Sequence, residues 1–146
     1  MERFKPLIDK LFWIIFTPVL VLMAIVTTIV FIYPELAAII ITLGVDFILL
    51  YFFISPLFGY VELRESSLFI KYGFIIKREI PYGKIRSIQK ERKFYSESMM
   101  SLKNAIEHIN IKYNSFDVTT ISVVNNDVFI EMLKARISNH NSFAKK

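Results

Sequence analysis

The chain has 146 residues, 54% of them hydrophobic, yet it carries a net charge of +5. It has no cysteine, which excludes disulfides, thiolate catalysis and Cys-based zinc sites. Its only histidines are His108 and His140, so a multi-histidine metal centre or a Ser-His-Asp triad would have to draw on those two.

Apolar residues and charges are segregated along the chain. Between Leu11 and Phe58 the only ionisable side chains are Glu35, Asp46 and the tyrosines, while Lys and Arg crowd the remainder. Residues 11–33, LFWIIFTPVLVLMAIVTTIVFIY, carry no formal charge. A helix of that length rises about 1.5 Å per residue and crosses the roughly 30 Å hydrocarbon layer of a bilayer. Pro18 is tolerable there, because membrane helices accommodate kinks. A second apolar run covers residues 36–58, and the link between the two is only Pro34-Glu35, which predicts an antiparallel helical hairpin. A cleaved signal peptide is a poorer reading: the first run is too long, lacks a small-residue cleavage site and is followed at once by the second.

Arg3, Lys5 and Lys10 precede the hairpin and Arg64 and Lys71 follow it, whereas the turn holds Glu35 and no cation. The positive-inside bias then puts both termini in the cytoplasm of a two-pass cell-membrane protein. Trp13, Tyr33, Tyr51 and Tyr60 are the aromatic candidates for the interfaces, Tyr51 being the deepest. Asp46 lies within the second span, where an ionised carboxylate is costly and must face protein or water. Thr42, one turn earlier, is its expected hydrogen-bond partner, with Leu22–Val26 opposite and Thr27 just beyond. Gly44 allows a further helix to approach, so Asp46 is read first as a contact between helices or between copies in a homo-oligomer. A proton relay would need more than one acid.

From Gly59 the pattern alternates with the period of strands. YVELRE is one strand, SLFIKYGFIIKREI two with a turn near Tyr72-Gly73, and Ile85 to Phe94 a long fourth. AIEHINIKYNSFDVTTISVV forms a hairpin turning at Asn114-Ser115, with Ile109, Ile111 and Tyr113 on one face and His108, Asn110 and Lys112 on the other. NNDVFIEMLKARIS then places Phe129, Met132, Leu133, Arg136 and Ile137 at helical spacing behind Asn and Asp caps. The expected division is 1–58 as flank and hairpin (spans 11–33 and 36–58), 59–138 as a cytoplasmic domain and 139–146 as a polar, fraying tail.

LFIKYGFIIKREIPYGKIRSIQKERK resembles the bacterial pleckstrin-homology (PH) pattern of strand, glycine turn and an IPY-x-KI corner, here Ile80, Pro81, Tyr82, Lys84 and Ile85. Downstream, MMSLKNAIEHINIKYN resembles the family's later strand, and FIEML its helix, although ISVV stands where the family usually has Pro. The likeness covers residues 60–137, is similar to the Firmicute family formerly called DUF1200, and extends to the PH-like domain of the sublancin immunity protein. It implies a split barrel of six or seven antiparallel strands capped by a C-terminal helix, with the isoleucines of the corner facing inward.

Lys77, Arg78, Lys84, Arg86, Lys90, Arg92 and Lys93 cluster around that corner. They are expected to contact anionic inner-leaflet lipid, at about 1 kcal/mol per cation close to the surface, or a protein partner; a solvated strand face balanced by Glu79 and Glu91 is the plainer reading. The membrane tether and the lack of any nucleic-acid motif argue against RNA or DNA. Glu62, Glu65 and Glu79 alternate with cations like surface strand charges, His108 reads as a solvated strand residue, and no P-loop, dinucleotide turn or HExxH appears. No catalytic residue, metal site or cofactor is expected. The resemblance implies a binding protein: bacteriocin immunity, protecting the membrane or the toxin's target through the hairpin, or a membrane-anchored scaffold that binds a cytoplasmic peptide or subunit.

Overall fold

The computed structural model describes residues 2–93, 95, 96, 98 and 101–143. Two helices, α1 (Lys10–Ile32) and α2 (Leu36–Ile54), form the expected antiparallel hairpin, and a 3-10 turn at Ser55–Phe58 leads out of it. Both runs are long and apolar enough to cross a membrane. The chain itself does not cover them: Phe47 is 74% exposed and Ile40 63%. An apolar surface of that extent needs a lipid or protein environment. Asp9 caps α1, its Oδ1 accepting from the Leu11 amide at 2.7 Å. Phe12, Phe16 and Phe53 pack at the base of the hairpin, with ring centroids 4.6–5.6 Å apart.

Beyond the hairpin the chain forms β2 (Tyr60–Leu63), β3 (Ser67–Lys71), β4 (Lys77–Pro81), a 3-10 corner at Tyr82–Lys84, β5 (Ile85–Arg92), β6 (Ser101–Leu102), β7 (Glu107–Tyr113), β8 (Asp117–Ile121) and α3 (Asn126–Phe143). Alternation places these strands well, although Phe94, Met99 and Met100 lie outside the described residues. The N-terminal flank departs from expectation. Instead of a mere charged lead-in, Glu2–Phe4 form β1, antiparallel to β2 with Phe4 opposite Val61. The helical hairpin is therefore an insertion between two neighbouring strands of one sheet.

The strand orders are β1-β2-β3-β4 and β5-β7-β8-β6. From residue 59 onward the described residues form seven strands, within the expected six or seven, β1 adds an eighth from the flank, and one pair, β6 with β8, is parallel. The sheets enclose Val61, Leu63, Leu68, Ile70, Ile80, Tyr82, Leu102, Ile109, Ile111 and Ile121, and α3 closes them with Phe129 and Leu133. Phe4 reaches this core, its ring edge-on to Phe129 at 5.1 Å, a contact worth about 1 kcal/mol beyond its buried area.

Residues after β1 remain attached to the domain. Leu7 donates to the Ser122 carbonyl, Val124 to that of Lys5, and the Ile106 amide to Asp9 Oδ2. Gly59 follows because nothing larger fits: a Cβ there would lie 2.5 Å from Leu102 Cδ1 and 2.9 Å from the Lys71 carbonyl. At the far end, α3 runs to Phe143, so the tail expected to fray from residue 139 is helical for five more residues. His140 packs there against Tyr82; residues 144–146 lie outside the described residues.

Candidate functional site

The IPY corner is built as the sequence implies. Ile80 and Tyr82 are fully buried, and the Tyr82 hydroxyl donates to the Arg64 carbonyl at 2.7 Å. Burial raises the Tyr82 pKa above the ordinary tyrosine value. Pro81 ends β4 opposite Ser67, and the chain turns through Gly83 and Lys84 into β5. Ile85 and Ile88 are partly buried against the core.

The seven cations around the corner do not form one patch. β2 leaves the hairpin at Tyr60, β3 returns to Lys71 and β4 leaves again from Lys77, so Lys77 stands near the hairpin. At about 3.3 Å per residue, Lys84 and Arg86 lie at the opposite end of the domain. β5 then returns: Arg92 pairs with Glu107, close to the Asn104–Ile106 segment held by Asp9. Arg78 lies over the Tyr113 ring at 5.3 Å. Lys90 contacts Glu107 at 3.0 Å and Asp127 at 2.8 Å, and Lys93 contacts Glu91 at 2.7 Å. Hydrogen bonds that the Lys90 ammonium donates to Asp127 and Glu107 hold its pKa above the ordinary value, while Lys90 and Lys93 lower those of Glu107 and Glu91 respectively.

β5 is an edge strand, bonded on one side to β7, with a register irregularity between Ile85 and Ser87 that displaces Arg86. α3 lies along its other side. Between them runs a groove of about 420 Å3 lined by Ile85, Arg86, Ser87, Ile88, Lys134, Ile137 and Ser138. A further depression of about 390 Å3 shares Arg86 and Ser87 and continues past Lys112 to the β7–β8 turn. An unpaired strand edge, an apolar floor and cations at the rim suit an extended chain with apolar and acidic side chains. Sequence reasoning missed the groove, because Lys134 and Ser138 gain meaning only when α3 lies beside β5.

Three expectations are corrected. His108 is not solvated. It is fully buried, with Nδ1 donating to the Ile106 carbonyl at 2.9 Å, and the Ile106 amide in turn donates to Asp9 Oδ2. Asn110 is buried beside it and accepts from Thr120 Oγ1 at 2.7 Å. Glu62 is 5% exposed rather than a surface charge, lying between Arg3 at 3.4 Å and Arg64 at 3.7 Å. Asp46 takes its hydrogen bond from the facing helix, with Thr27 Oγ1 at 2.6 Å, and not from Thr42 on its own. Thr42 instead lines, with Val19, Leu22, Met23, Val26 and Asp46, a mostly apolar groove of about 270 Å3 between α1 and α2. Gly44 has open space around it and does not seat α1.

Residues 59–137 match the family described as bacterial PH domain. That is more than half of the chain, which therefore belongs to this family. No curated protein and no solved structure matches it. The finer likeness to DUF1200 and to the sublancin immunity protein finds no counterpart in these comparisons.

The ion pairs predict the acid limit of the fold. Glu79, Glu91 and Glu107 have folded pKa values below the ordinary 4.5. Their contributions are complete above that value and are lost as pH falls through the lowered folded values. Melting temperature, followed by circular dichroism on the chain in detergent, should fall progressively below about pH 4.5. Glu107→Gln should flatten part of that decline; an unchanged slope would mean that the pair with Lys90 contributes nothing to it.

Proposed function

We propose that this bacterial PH-domain protein is a membrane-anchored binding scaffold whose β5–α3 groove takes an extended peptide segment of a partner. PH domains are in general binding modules without catalysis, and two helices able to cross a membrane precede the matched region. The observation that carries the proposal is the unpaired edge of β5 beside α3, with Ile85, Ile88 and Ile137 as floor and Arg86 and Lys134 at the rim. A peptide adding to that edge gains main-chain hydrogen bonds, while its alternate side chains meet apolar floor and cations. That β1 and α3 belong to one folded unit supports a reading in which both termini share one side of the bilayer, and the Lys and Arg bias favours the cytoplasm as that side. The groove then faces cytoplasmic partners, and Lys77 meets the leaflet.

A peptide-display selection on the full chain in lipid nanodiscs should enrich extended sequences that alternate apolar with Asp or Glu residues. Arg86→Glu and Ile137→Asp should each weaken the selected peptides at least tenfold. Equal binding to wild type and both variants would place the site elsewhere.

Bacteriocin immunity is a second, finer proposal. It is favoured by the Thr27–Asp46 pair, a polar point in a groove that opens between the two apolar helices and can receive a membrane-active peptide or its target. Expression in a sensitive strain should raise the inhibitory concentration of a cognate bacteriocin, and Asp46→Asn should lower that protection severalfold. Unchanged killing across a bacteriocin panel would end this proposal.

A further inference from the structure

The turn joining β3 to β4 presents apolar side chains where a loop of a soluble domain would present polar ones. Phe74 is 47% exposed, Ile75 74% and Ile76 48%, three consecutive large apolar residues at the tip. The turn is closed by the Tyr72 amide donating to the Ile76 carbonyl at 2.8 Å. Gly73 places it: with φ at +130°, it adopts a conformation other residues avoid, and a Cβ there would lie 1.8 Å from Ser55 Oγ. The tip is thus seated directly on the 3-10 turn that leaves α2.

The apolar surface is continuous from helix to turn. The Phe74 ring lies 4.8 Å from that of Phe58 and 6.2 Å from that of Tyr51. Tyr51, deep by residue count, is only one turn from the end of α2 and stands at the same level as Phe74. Phe52 and Phe58 beside it are 62% and 55% exposed. Lys71 and Lys77 face each other in register at the foot of the turn, one at each strand end. Apolar tip, aromatic neighbours and flanking lysines on flexible stems match the layering of a bilayer interface from acyl boundary to phosphate.

We propose that the β3–β4 turn is a membrane-seated wedge: Phe74, Ile75 and Ile76 enter the headgroup–acyl boundary beside α2, and Lys71 and Lys77 meet lipid phosphates. The occupant of this surface is the leaflet itself, because the tip adjoins the end of a helix whose remaining length lies in the hydrocarbon. This rests on α1 and α2 being spans. The wedge adds a third attachment point and fixes the tilt of the domain, with the corner at Lys84 and Arg86 directed away from the membrane.

The absence of native cysteine makes the test direct. Single variants Ile75→Cys, Ile40→Cys in α2 and Phe116→Cys in the β7–β8 turn would each carry an environment-sensitive fluorophore, on the full chain in phosphatidylglycerol-containing nanodiscs. Ile75 is the most exposed residue of the tip, so its replacement leaves the core untouched. The label at 75 should behave like that at 40: emission shifted to the blue, at least half of it lost with spin-labelled lipid, and at least fivefold less quenching by iodide than at 116. A label at 75 that follows 116 while 40 remains in lipid would overturn the wedge and leave the spans standing. A label at 40 that is itself open to iodide would overturn both.

Discussion

The pairing of β1 with β2 is the constraint on which the rest of the molecule depends. These strands are neighbours in one sheet, yet the whole helical hairpin lies between them in the chain. A tether at one end only would let a domain swing. Here both ends of the hairpin enter the same sheet, and Asp9 fastens the first to the Asn104–Ile106 segment while also capping α1. Phe4 adds a core contact to Phe129 on α3, so the N-terminal strand, the sheet and the closing helix form one cooperative unit. Long-range closure of this kind carries a loop-entropy cost that grows only slowly with loop length, and a preformed helical hairpin reduces it by bringing its two ends together.

That attachment determines what each surface of the domain can meet. β3 and β4 turn back at the hairpin, while the IPY corner turns away from it. The cations that crowd one stretch of sequence are consequently divided in space: some lie near the hairpin, some are held in ion pairs with Glu91, Glu107 and Asp127, and some line the edge groove. Sequence proximity concentrated them, and the alternation of strand direction dispersed them. A basic run on a small barrel is therefore weak grounds for a single lipid patch until register is known.

Much of the fold was legible in the sequence. The spans could be read because an apolar run of more than twenty residues without a cation is long enough to cross a bilayer and longer than most core helices. Most strands and α3 could be read because alternation and helical spacing survive in short windows. β1 could not: three residues before Lys5-Pro6 carry no period, and only a partner far along the chain makes them a strand. His108 and Glu62 were misread for one physical reason. Alternation assigns two faces to a strand, but it does not say whether the second face is covered, and here both residues are buried, Glu62 between Arg3 and Arg64. Thr27 was passed over for Thr42 because one-helix spacing is visible in sequence and the rotation of a facing helix is not. The β5–α3 groove was invisible for the same reason, being a relation between elements.

The most direct measurement is a disulfide between Arg3→Cys and Glu62→Cys, residues opposite each other in β1 and β2 whose side chains meet at 3.4 Å. Introduced into a chain without native thiols and reconstituted in bilayers, the pair should close within single chains under mild oxidation. Arg3→Cys with Phe116→Cys, at the far turn, should not. Failure of the Arg3–Glu62 pair to close in folded protein would contradict the account, leaving a domain hung from one helix end and free to swing.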